Sequence, residues 1–208
     1  LEEVALLGAA DSTVRTPEQT QIAQWHVEQG QFSLNRIARA EAVASGFDLL
    51  TTARLFALLN LALQDGVQSV FEAKYHYNSW RPVTAIPAAD TDGNRWTYAD
   101  PTWLPLLVTP PHPEYPAAHA TVNGAAIQVL EAVFGRHYSF VSTSATVPGV
   151  TRSFDSFDDL LEDAKIARIY GGIHFREALE EGGRQGRQLG RWILRHFLRP
   201  RRSRVQHQ

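Results

Sequence analysis

Tyr115-Pro116-Ala117-Ala118-His119-Ala120-Thr121-Val122-Asn123-Gly124 reads as the opening of a helix with a histidine in its first turn. Proline has a backbone angle suited to the first helical position, where its missing N–H costs nothing. Apolar residues follow at Ala118, Val122, Ala125, Ala126, Val129, Leu130 and Val133, and Gly135 stops the run. A helix over 116–134 is therefore predicted. Its first-turn amides and the positive end of its dipole form a natural anion site. Ala117 and Ala118 are small enough to let an anion approach those amides.

Outward from this segment, helical periods dominate. Thr16-Pro17-Glu18-Gln19 is a capping box that starts a helix through Ile22, Trp25 and His26. A second helix is expected from Phe32 to about Ser45, ended by Gly46. A long one follows from about Leu49 to Tyr75. Its first half is apolar on nearly every face, the pattern of a buried bundle centre. Ser156 caps a helix towards Tyr170, Gly171-Gly172 interrupts, and a last helix runs from about Phe175 to Leu198. Between residues 138 and 154 an alternating Ser/Thr/Val-rich stretch around Pro148-Gly149 predicts a short β-hairpin. The expected fold is all-α, a helical bundle with one such hairpin, over 1–198. Arg199, Arg201, Arg202 and Arg204 mark a solvated basic tail over 199–208.

Residues 79–115 carry seven prolines and the turn signal Asp92-Gly93, yet also Trp96, Tyr98, Trp103, Leu104, Leu106 and Leu107. That apolar content predicts an ordered loop. Asp90-Thr91-Asp92-Gly93-Asn94 faintly resembles a calcium loop. Its glycine falls early and Pro101 stands where the bidentate acid belongs, so it reads as a turn.

Composition narrows the function. A net charge of −2 argues against general nucleic-acid binding, and no apolar run reaches the length of a membrane span. Glu2 and Glu3 do not suit a signal peptide, and the sequence starts without Met, so it reads as the C-terminal part of something longer. A soluble protein is expected, with a periplasmic or secreted location and the oligomeric state both open. There is no Cys, which excludes disulfides and thiolate sites, and no Met. Loss of both oxidisable side chains suits exposure to an oxidant, although compositional drift gives the same pattern.

Two flanking clusters complete the pattern. Lys74 and Arg81 stand at the end of the long helix and the start of the proline-rich loop; Arg168 and His174 straddle the double glycine. Lys74-x6-Arg81-Pro82, then Pro116-x-x-His119, then Arg168-x5-His174, in that order, resembles the superfamily of vanadium-dependent haloperoxidases and type 2 phosphatidic acid phosphatases. The text Tyr77-Asn78-Ser79-Trp80-Arg81-Pro82 and Thr109-Pro110-Pro111-His112-Pro113-Glu114-Tyr115-Pro116 is similar to the soluble bacterial haloperoxidase-like branch. By that family's layout a further helical region precedes residue 1.

The resemblance and the chemistry imply one site. Lys74, Arg81 and Arg168 surround a tetrahedral oxyanion, and amides near Ala118 donate to it. The implied cofactor is vanadate, with phosphate able to occupy the same place. His174 is the implied axial group, bound to vanadium or attacking phosphorus. His119 is the implied acid–base. Asp65, at the edge of an apolar helix, is a candidate partner for His119, with an exposed surface acid as the equal alternative. A backbone carbonyl near Gly171 and Gly172 is the expected acceptor for the second nitrogen of His174.

Two motifs depart from the family pattern. Pro-Ser-Gly-His becomes Pro116-Ala117-Ala118-His119, and the Asp four residues after the last histidine becomes Ala178. Each departure removes a polar group, the Ser hydroxyl at a cost of about 1–3 kcal/mol if its acceptor goes unsatisfied. The expected activity is halide oxidation by hydrogen peroxide. A phosphomonoesterase working through a phosphohistidine, or a non-catalytic phosphate-binding bundle, would use the same residues.

Overall fold

A computed structural model describes residues 1–199; the remainder of the basic tail lies outside the described residues. The element order is α1 (Glu2–Leu7), α2 (Pro17–Trp25), α3 (Gly30–Ala44), α4 (Leu49–Tyr77) and α5 (Pro82–Ala85), then a 3₁₀ turn at Ala89–Thr91. There follow α6 (Ala118–Phe134), β1 (Phe140–Thr143), β2 (Thr151–Phe154), α7 (Phe157–Tyr170) and α8 (Arg176–His196). The protein is a helical bundle with one antiparallel hairpin, in which Phe140 faces Phe154 and Thr143 faces Thr151. Thr16 closes the capping box on Gln19, and Asp48 and Ser156 cap α4 and α7. No helix among the described residues is long and apolar enough to cross a membrane.

The centre of the bundle is α6 rather than α4. Every residue of α6 from Ala120 to Glu131 is buried, and α8, α4, α7 and α3 pack around it. On α4 one stripe is buried, with Leu55, Leu58, Leu59, Ala62 and Leu63 inside, whereas Leu49 is 87% and Leu50 79% exposed. Side-chain size accounts for the exchange of places. Small residues on α6 let other backbones come close, whereas the larger Leu and Phe side chains of α4 keep neighbours at a normal helix spacing. On α8, Gly182, Gly186 and Gly190 form the matching stripe. A Cβ at Gly182 would lie 2.6 Å from the Ala117 carbonyl oxygen, and one at Gly190 would lie 2.5 Å from that of Ala125.

Two further boundaries differ from expectation. Pro116 follows a cis Tyr115–Pro116 bond and stands two residues before α6, which starts at Ala118. The N-terminal α1 carries no sequence signal beyond its acidic first turn; it forms because Val4 is buried against Ile169 and Trp103 in a second apolar cluster. The proline-rich loop is ordered as predicted. Leu106 N–H donates to Gly8 O and Leu107 N–H to Gly171 O, pinning it across α1 and the α7–α8 junction. Asp92 accepts from Asn94 N–H and Thr97 Oγ1, so this stretch is a side-chain-closed turn.

Candidate oxyanion site

Three elements deliver three buried cations. Lys74 sits in the last turn of α4, Arg81 is the N-cap of α5, and Arg168 lies in the last turn of α7. All three are buried, Lys74 completely. None forms an ion pair among the described residues; most of their donors go to backbone carbonyls, and Arg81 also reaches two imidazole nitrogens. Lys74 Nζ donates to Pro113 O at 2.7 Å and Glu114 O at 2.8 Å. Arg81 donates to His112 O and Ile173 O, and Arg168 to His26 O at 2.7 Å. Three buried cations stand beside one buried carboxylate, that of Glu114, so the pocket has an excess of positive charge.

His119 and His174 complete the cluster. His174 lies between α7 and α8, in the stretch that Gly171 and Gly172 turn inward, and its Nε2 receives Arg81 Nη1 at 2.9 Å. Arginine has no lone pair to give, so Nε2 is the acceptor and the neutral ring holds its proton on Nδ1. Burial, then the charges of Arg81, Lys74 and Arg168, hold the His174 pKa well below the usual imidazole range. His119, the second residue of α6, is likewise pushed far down by burial and by Arg168. Burial lowers Lys74 to about 7.

The donor set fits an oxyanion on a structural test. His119 Nε2 and Arg168 Nε are buried with no hydrogen-bond partner, an expensive condition unless something accepts or donates there. A cavity of about 510 Å³ reaches them, lined by Leu107, Pro110, His112, His119, Arg168 and Ile173. Ala118 heads α6, whose N-terminus has no side-chain cap, so its first amides are free to donate. Lys74, Arg81, Arg168 and His119 thus all lie within electrostatic reach of His174, and Ala118 lines a cavity together with His119.

Asp65 is not part of this group. It is half-buried on α4, no hydrogen bond joins it to His119, and it does not line the cavities that His119 lines. The backbone carbonyls of His26 and Glu28, just beyond α2, take the place next to the His119 ring. The acceptor for His174 Nδ1 is also not a glycine-region carbonyl. It is the Glu114 carboxylate, Oε1 at 2.9 Å, which burial raises to about 7. Glu114, His112 and His26 were all missed as site residues. The lone acid of the proline-rich, apolar stretch 101–116 was the available signal for Glu114. His112 reaches Arg81 Nη2 through Nδ1, and His26 is tied to Asp163, contacts set only by chain crossing.

A helical bundle that gathers two buried arginines, a buried lysine and two histidines with depressed pKa values has the makings of an oxyanion-binding fold. The chain belongs to the family of the VCPO second helical-bundle domain, whose model matches residues 54–203. It is 25% identical over 231 residues to the vanadium chloroperoxidase of Curvularia inaequalis, covering 81% of this chain and 37% of that protein. It is 32% identical over 133 residues to the vanadium-dependent bromoperoxidase of Ascophyllum nodosum, covering 62% of this chain and 20% of that one. A solved bacterial vanadium-dependent iodoperoxidase superposes with a TM-score of 0.76 at 34% identity, over 86% of this chain and 43% of that chain. The chain therefore spans less than half the length of each of these relatives.

Proposed function

We propose that the chain forms the oxyanion-binding catalytic half of a vanadium-dependent haloperoxidase, oxidising halide with hydrogen peroxide. The observation that carries this reading is the surplus of buried cations around an unprotonated imidazole nitrogen, in a member of this family. Vanadate, when bound, supplies a Lewis-acidic centre that activates peroxide towards a halide.

In that role His174 Nε2 offers its lone pair to the bound oxyanion. Lys74, Arg81 and Arg168 neutralise its charge in a site of low dielectric, where such interactions are strongest. The α6 amides around Ala118 donate from one side. His119, with Nε2 facing the cavity, holds or delivers a proton to the reacting oxygen. Leu107, Pro110 and Ile173 restrict water at the cavity wall.

Halide-oxidation and phosphomonoesterase assays run side by side, with and without orthovanadate, test the reading. Halide oxidation that appears only with vanadate is expected. His174→Ala should abolish it together with vanadate binding, and His119→Ala should slow it on the order of 10²–10⁴-fold while binding persists. Phosphate-ester hydrolysis inhibited by vanadate, without halide oxidation, would assign the same site to a phosphohistidine enzyme.

A further inference from the structure

We propose that Glu114 is the positioning residue of His174: its carboxylate, carried by the loop before α6, holds the imidazole with Nδ1 protonated and Nε2 unprotonated towards the oxyanion site. This deepens the reading above and rests on it for the role of His174. Glu114 is buried, and its Oε1 accepts from two donors at once, His174 Nδ1–H at 2.9 Å and the Phe175 backbone N–H at 2.9 Å. One oxygen thereby fixes both the ring and the backbone that follows it. The glutamate is itself held at both ends of its backbone. Its N–H donates to Ser79 O at 3.0 Å, and its carbonyl accepts from Lys74 Nζ at 2.8 Å.

The opposite ring nitrogen gives an independent reading of the same tautomer. Arg81 Nη1 can only donate to Nε2, so the single proton of a neutral ring belongs on Nδ1, where Glu114 waits. A carboxylate behind an imidazole orients the ring and raises its donor strength, which is the usual second-layer partner of a ligating histidine. The position where the resemblance leads one to expect an acid, Ala178, offers only a methyl group. Ala178 and Glu114 line the same cavity of about 480 Å³, with Tyr77, Trp80 and Phe175. In this chain the carboxylate beside His174 comes from the loop that enters α6 and not from α8.

The test uses the full chain labelled with ¹⁵N-histidine, without added anion, with His174 assigned by its loss in His174→Gln. Wild type and Glu114→Gln, whose amide oxygen still accepts, should show His174 protonated on Nδ1. Glu114→Ala should move the proton wholly or partly to Nε2 and lower orthovanadate affinity by about tenfold or more. Glu114→Gln should keep most of the affinity. His174 protonated on Nε2 in the wild type, or an unchanged ring spectrum in Glu114→Ala, overturns the proposal. Should Glu114→Ala not fold, the His174 Nδ1–H proton resonance decides the matter: it should move upfield when the carboxylate acceptor becomes an amide in Glu114→Gln, and an unmoved resonance overturns the proposal. A wild type that binds no vanadate sinks the proposed function, and the tautomer still decides what Glu114 does.

Discussion

Arg81 Nη1 lies 2.9 Å from His174 Nε2, so the guanidinium covers the lone pair that a bound oxyanion would take. The same side chain reaches His112 O, His112 Nδ1 and Ile173 O. It links the loop after α4 to the loop after α7, and it must yield one donor when an anion arrives. A lysine is a single point charge without the planar fork. Arg81→Lys should therefore lower vanadate affinity and cost about 1.5–3 kcal/mol of stability for each charged hydrogen bond lost. Anion titration and thermal melting of the variant measure the two effects; a variant equal to wild type in both would refute the linking role.

Ala117 is the N-cap of α6 and contributes no side-chain bond. Ala117→Ser should supply a hydroxyl either to the free α6 amides or to the bound anion. The first outcome raises stability by about 0.5–2 kcal/mol, the second tightens vanadate by about tenfold, equal to 1.4 kcal/mol. Neither gain would mean that the buried site has no room for one more oxygen.

Burial holds Lys74 at about 7 from above and Glu114 at about 7 from below. A bound dianion stabilises the protonated form of each, so binding near neutral pH takes up protons and weakens as pH rises. Sulfate is a suitable probe because its own charge does not change in this range. Its affinity should fall between pH 6 and pH 9. Calorimetry in buffers of different ionisation enthalpy should show net uptake, and net release would reverse the assignment of the buried charges.

The α6–α8 crossing depends on bare backbone. A Cβ at Gly186 would collide with the Thr121 carbonyl oxygen, which is part of α6 and cannot rotate aside. Gly186→Ala should destabilise the fold by about 1–3 kcal/mol or more. Gly46→Ala is a useful contrast, because nothing lies near its Cβ and only its positive φ of 64° resists the change. Chemical denaturation of the two variants should show the larger loss at Gly186.

Much of the fold was legible because its signals are local. The Thr16 capping box, the Gly46 and Gly135 stops, and the alternation around Pro148-Gly149 each act within a few residues, and each element formed near its predicted bounds. The identity of the central helix was not legible. Apolar density pointed to α4, yet burial depends on how closely partners approach, and the glycines of α8 that allow it for α6 lie some sixty residues away.

The sequence by itself determined which groups carry charge and where helices begin: Lys74, Arg81, Arg168, His119 and His174 stand at helix ends or breaks, and short-range physics places them there. Only the tertiary structure decided their partners. His119 faces carbonyls beyond α2 instead of Asp65, and His174 is held by Glu114 instead of a glycine-region carbonyl. A hydrogen bond between residues sixty positions apart depends on chain crossing and on which groups burial leaves unsatisfied, and neither leaves a periodic trace in the sequence.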